Sequence, residues 1–198
     1  MEESIKNTIQ QFKGDLNNGM ISDIAIVRRY LLHGTPIIYE GNDDLYYELK
    51  SKVADYFNVS TTNILIVGSA KLGFSIAPKK LWKPFNDESD IDVVVISEQL
   101  FDTYWKELLD FNIDLKARST DEDSNYRMFL EYFLKGWIRP DLFPFKYYKK
   151  DDWFNFFKES SYGKFGNYKI AGAIFKNEYF FEYYHTRNIN KLRLTKHE

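Results

Sequence analysis

A mixed α/β fold, a small β-sheet with flanking helices, is what three features of this 198-residue sequence predict. Two short β-branched runs, ILIV at 64–67 and VVVI at 93–96, have the length and composition of buried strands. The longer stretches around them carry apolar residues at helical spacing. Clusters of Gly, Pro, Asn and Asp punctuate the boundaries. Hydrophobic residues make up 44% of the chain and aromatic residues 18%, enough for one sizeable core. No repeat or low-complexity linker divides the sequence, so it reads as a single domain. Within it, 1–60 is a helical segment, 61–145 the core and 146–198 an aromatic-rich helical segment.

Residues 5–32 carry a helical pattern in two pieces around Gly19, and HGTPIIYEGNDD at 33–44 is a breaker-rich connection. Asn42, Asp43 and Asp44 offer N-caps to a helix whose Leu45, Tyr46, Leu49, Val53 and Phe57 share a face. NILIV at 63–67 is the first strand. The segment 68–89 is a long loop with one helical turn, leading into a second strand within SDIDVVVI at 89–96. Ser97 caps a helix with the stripe Leu100, Phe101, Tyr104, Trp105, Leu108 and Leu109. Tyr126, Phe129, Leu130, Phe133 and Leu134 mark another helix. GWIRPDLFP at 136–144 holds two prolines that forbid a continuous helix, so it is expected to be extended. DDWFNFFKE at 151–159 is a short helix, YKIAGAIF at 168–175 a strand or loop, and Asn177 caps a last helix reaching about residue 190.

Charge and composition exclude several function classes. With 27 basic and 29 acidic residues the net charge is −2, so no global field draws the chain to nucleic acid. The absence of cysteine excludes disulfides, thiolate zinc sites and a cysteine nucleophile, and fits a reducing cytoplasm. The first 25 residues lack the apolar block of a secretory signal, and no apolar run is long enough to span a bilayer. A soluble, cytoplasmic protein without membrane insertion is expected. His33, His185 and His197 are scattered, without paired metal spacing, and are expected on the surface or in loops.

The chemistry concentrates at ESDIDVVVIS, 88–97, where two acids open an apolar strand. Side chains alternate along a strand, so Asp90 and Asp92 point the same way with Ile91 opposite. Their mutual repulsion calls for a compensating cation, and an oxygen-only donor pair suits a hard ion, Mg²⁺ or Mn²⁺. Upstream, Gly68 and Ser69 follow the first strand directly, a place where backbone and hydroxyl can hold phosphate. Between Ser69 and Asp87 there is no acid, yet Lys71, Lys79, Lys80 and Lys83 are present. A phosphate cradle, a basic stretch and a carboxylate pair, in that order, describe a metal–triphosphate site. The spacing is not that of a P-loop, because no Gly-Lys-Ser/Thr follows.

At ILIVGS (64–69) and SDIDVVVI (89–96) the chain resembles the DNA polymerase β-like nucleotidyltransferase superfamily, whose signature is a strand, Gly-Ser, a short helix and a strand bearing Asp-x-Asp. The resemblance covers about residues 62–97. The 20 residues between Ser69 and Asp90 exceed the spacing of the most compact members. In this the chain is similar to bacterial oligonucleotide-signalling synthases of antiphage systems and to stand-alone Hailong-type nucleotidyltransferases.

The resemblance implies a polymerase β-like core and a magnesium-dependent enzyme. Asp90, Asp92 and a third carboxylate would hold Mg²⁺ or Mn²⁺, while Gly68, Ser69 and Lys71 would hold the phosphates of an NTP or dNTP. Asp141 is preferred as the third acid, because Pro140 and Pro144 enforce extension there and Arg139 adds a cation; Asp114 is the alternative. The implied reaction moves a nucleoside monophosphate to a hydroxyl and releases pyrophosphate. The acceptor is open: a nucleotide, giving an oligonucleotide signal with a partner effector protein, or a protein or tRNA, as for toxin–antitoxin relatives. The alternative is an inactive module that binds nucleotide or docks a partner through its aromatic surface.

Overall fold

The computed structural model describes residues 2–114, 118–144 and 146–195. Helices α1 (Glu2–Asn17) and α2 (Asp23–Val27) come first, the latter running into a π-helical turn at Arg28–Leu32, and α3 (Asp43–Phe57) follows. Strand β1 (Ile64–Val67) passes directly into the short α4 (Gly68–Leu72), and β2 (Ile91–Ile96) carries the paired aspartates. Helices α5 (Glu98–Asp114) and α6 (Thr120–Leu134) precede the two-residue β3 (Trp137–Ile138). Then come α7 (Lys149–Ser160), β4 (Ile170–Phe175) and α8 (Glu178–Leu194).

Helix starts follow side-chain chemistry that the sequence displays. Asn42 accepts from Leu45 N, Ser97 from Leu100 N and Asn177 from Phe180 N, each satisfying an amide that its helix leaves unpaired. Ser119 and Glu122 form a reciprocal capping box at the start of α6. Asn58 closes α3 in the left-handed conformation, at φ 52°.

The sheet order is β1-β2-β4-β3, with β1 antiparallel to β2, β2 parallel to β4 and β3 antiparallel to β4. Helices cover both faces. Ile64, Ile66, Ile91, Val93, Val95, Ile170 and Ile174 pack on α3, α5, α6 and α7 through Val53, Phe57, Phe101, Tyr104, Phe129 and Trp153. Each such side chain, fully buried, contributes about 1.5–3 kcal/mol. The opposite face, with Val67, Val94, Ile96 and Phe175, packs on α1, α2 and α8 through Phe12, Leu16, Val27, Phe181, Ile189 and Leu192. By strand alternation this second face is also that of Asp90 and Asp92.

Two sequence-based expectations change. The core does not end at residue 145: β4, from the C-terminal segment, is an inner strand, flanked by β2 and β3. Its Ala171-Gly172-Ala173 centre has little strand propensity but fits its place, since a Cβ on Gly172 would lie 2.1 Å from the Phe157 ring. The segment 136–144 is extended only through β3; Pro140–Leu142 then turns as a 3₁₀ helix, with Leu142 N donating to Arg139 O. Pro140 sits at its first position, where a missing N–H costs nothing. Much of the aromatic-rich C-terminal segment is core: Trp153, Phe157 and Phe181 are buried, while Phe154, Tyr179 and Tyr183 are exposed. No helix among the described residues is long and apolar enough to cross a membrane.

Candidate active site

The Gly-Ser and Asp-x-Asp motifs form one structural unit. Antiparallel pairing sets Val67 opposite Asp92, so the chain leaving β1 turns directly over that carboxylate. Gly68 adopts φ +66°, and a Cβ there would come 2.9 Å from Asp92 Oδ2. Glycine is required twice, for the left-handed backbone and for the close approach. Ser69 follows in α4, half-buried beside it.

Gly68, Ser69, Asp90 and Asp92 line a cleft of about 1290 Å³ to which α8 and α7 both contribute walls. Ala171 and Ala173 of β4 floor it, with Ala171 in register beside Asp92. Solvent reaches Asp92, yet protein surrounds it closely enough that burial pushes its carboxyl up to about 6. The negative charge of Asp90 adds to that rise, and Lys169 and Lys80 oppose it. Lys169 lies 3.5 Å from Asp90 Oδ2, one strand away on β4's leading edge. Lys80 and Lys83 from the expected basic stretch line the cleft.

Lys71 does not line the cleft. Its side chain is 7% exposed, and its ammonium donates to the carbonyl oxygens of His33 (2.6 Å) and Gly34. Two residues beyond Ser69 is about 200° around a helix, which turns Lys71 toward the loop after the π-helical turn. Burial, with a smaller push from Lys50, brings its ammonium down to about 8. A phosphate-holding role for Lys71 gives way to a structural one, tying α4 to that loop.

Asp141, the preferred third acid, lines the same cleft but stands apart from the pair. It follows β3, and β4 separates β3 from β2, so roughly 10 Å of sheet intervenes. Both its oxygens accept from Arg139, at 3.2 and 2.7 Å. The alternative, Asp114, ends α5, and its side chain lies outside the described residues. Among the described residues no three histidine, aspartate or glutamate side chains come together in a set that would hold a metal ion.

The structure adds residues that the sequence reading passed over. His185, Asn188, Lys191 and Thr195 of the α8 segment line the cleft opposite the sheet, and their spacing of three and four residues is the signal that places them on one face. His185 is half-buried rather than on the open surface: its ring lies 4.4 Å from that of Phe181, and burial lowers it to about 4, so it is neutral at physiological pH. Lys169 is a further cleft cation that no local pattern announced, and Arg139, expected from the sequence as a cation beside Asp141, also lines the cleft. Chemically the cleft offers two adjacent carboxylates, a glycine-permitted close approach, a hydroxyl and several cations, a set suited to a polyphosphate and a hard ion. Compared with models of protein families, with curated proteins and with solved structures, the chain matches none.

Proposed function

We propose that the cleft binds a nucleoside triphosphate with Mg²⁺ or Mn²⁺ and transfers its nucleoside monophosphate to a hydroxyl. The observation that carries this reading is the approach of Gly68 to Asp92, 2.9 Å from a Cβ position to Oδ2, which makes the Gly-Ser turn and the carboxylate pair one site. The residues fit the ion. Two carboxylates, Asp90 and Asp92, with substrate phosphates and water, are a common donor set for Mg²⁺ in phosphate chemistry. Bound there, the ion would neutralise phosphate charge as it develops. Ser69 and the backbone at Gly68 hold the terminal phosphates, and Lys80 and Lys83 add positive charge along the cleft wall. The acceptor oxygen bonds to the α-phosphorus as the bond to the pyrophosphate oxygen breaks. With alanines at 171 and 173, the hydroxyl's proton passes to water in the cleft.

The test is incubation of the purified chain with each α-labelled NTP and dNTP and Mg²⁺ or Mn²⁺, with products separated by size. Pyrophosphate release should vanish in Asp90→Asn and in Asp92→Asn. Release that survives both substitutions sinks the reading. Oligomeric products indicate nucleotide acceptors and a signalling role beside a partner effector; label on co-purified protein or tRNA indicates modification. A second reading, a module that binds nucleotide without transferring it, is favoured by Ala171 where a carboxylate beside Asp92 would serve the acceptor. It is recognised by triphosphate binding without pyrophosphate release.

A further inference from the structure

Lys169 is the cleft cation that forms an ion pair with Asp90. Parallel pairing of β2 and β4 sets Ile91 against Ile170, which places Asp90 and Lys169 side by side at the entrance to both strands. Ile91 N donates to Lys169 O at 2.8 Å, fixing that register at the backbone. The Lys169 ammonium then reaches within 3.5 Å of Asp90 Oδ2. The next β4 residues on that face, Ala171 and Ala173, carry no donor at all, and Asp141 is paired with Arg139. On the β4 side of the carboxylate pair, therefore, the strand itself carries no charge and the residue that leads into it, Lys169, is positive.

We infer that Lys169 takes the place of a second divalent ion, so that the Asp90–Asp92 pair accepts one Mg²⁺ or Mn²⁺ and excludes another. An ammonium beside Asp90 repels a second dication at the position where it would have to share that carboxylate. The same ammonium lies on the edge of the cleft where phosphoryl charge would accumulate, and can stabilise it without dissociating between turnovers. This rests on the reading of the cleft as a metal–nucleotide site.

The experiment is a Mn²⁺ titration of the full chain, with and without the non-hydrolysable α,β-methylene analogue of ATP, following free Mn²⁺ by electron paramagnetic resonance. The wild type should bind one Mn²⁺ per chain in the presence of the analogue. Lys169→Met and Lys169→Glu should bind two, the second at least about tenfold tighter than any second ion in the wild type, and more tightly still in the glutamate variant. Lys169→Arg should keep one. The Lys169 side chain is 58% exposed, so these exchanges leave the core intact. Two equivalent ions in the wild type, or one ion in every Lys169 variant, overturns the role of Lys169 and leaves the site standing. Mn²⁺ binding that is absent from the wild type, or unchanged in Asp90→Asn and Asp92→Asn, overturns the site itself and the inference with it.

Discussion

Replacing Asp92 by asparagine should stabilise the protein near neutral pH, although it removes a residue central to the proposed chemistry. Asparagine keeps the shape of the side chain and deletes its charge. In the folded chain burial, reinforced by Asp90, raises the Asp92 carboxyl from 3.8 to about 6 against the pull of Lys169 and Lys80. Its ionisation therefore costs more in the folded chain than in the unfolded one. Below pH 3.8 both states keep the proton and no penalty exists; the penalty grows as pH rises toward about 6 and is complete above it. At about 1.4 kcal/mol per pH unit, a gap of about two units gives roughly 3 kcal/mol. Solvent at the cleft mouth screens this to about 1–2 kcal/mol. For a chain of this size each kcal/mol moves the melting temperature by about 2–4 °C, so Asp92→Asn should melt about 2–8 °C above the wild type at pH 8. The gain should shrink at pH 4.5. Thermal unfolding followed by circular dichroism, without divalent ions, measures both. A variant that melts at or below the wild type at pH 8 would refute the burial and repulsion assigned to this carboxylate.

Three other substitutions test the frame around the site. Gly68→Ala should lower stability by about 1–2 kcal/mol through its left-handed backbone alone and weaken triphosphate binding; an unchanged urea midpoint counts against the tight turn over Asp92. Lys71→Met leaves two carbonyl oxygens without their donor and should cost about 1–3 kcal/mol, while the affinity for a triphosphate analogue, read by calorimetry, stays at the wild-type value. A lost affinity at retained stability would return Lys71 to the phosphate site. Asp23→Ala removes the acceptor for Arg193 (2.9 Å) and Asn190 (3.0 Å), which fasten α2 to α8, and should cost about 1–3 kcal/mol in urea unfolding. No loss there would mean that the remaining ties, Arg28 to Glu182 and Arg193 to the Asn18 and Ile21 carbonyls, with apolar packing, suffice to hold the two helices together.

The sequence was most legible where chemistry is local. Asn42, Ser97 and Asn177 announced three helix starts because a cap needs only a side chain and an amide three residues on. The β-branched runs announced β1 and β2, and the Gly-Ser and Asp-x-Asp pairs fell on one cleft because antiparallel pairing of those strands sets Val67 against Asp92. What was illegible depends on pairing across long separations. The place of β4 inside the sheet is set by Gly172 yielding room to Phe157 and by a register 79 residues from β2, neither of which alters local periodicity. Lys169 became a site residue only through that register. Lys71 misled because a lysine near a Gly-Ser pair looks like a phosphate ligand until the helix rotation is known. Asp141 misled for a related reason: its neighbours suggested the cleft, which it does line, but the sheet order keeps it from the pair.

The inner position of β4 also governs how the molecule comes into being. During synthesis β1 and β2 can pair as soon as residue 96 has emerged, but the strand that shields β2's other edge arrives only with residues 170–175. Until then β2 presents an open edge of Val93, Val94 and Val95, the kind of edge that recruits other chains. The intervening helices α5, α6 and α7 must wait with it, since they pack on a face completed by Ile170 and Ile174. Such a topology closes slowly, and its half-made form is exposed to aggregation. It also couples competence to completion: an interrupted chain ending before β4 would carry both aspartates but neither the floor of the cleft nor Lys169.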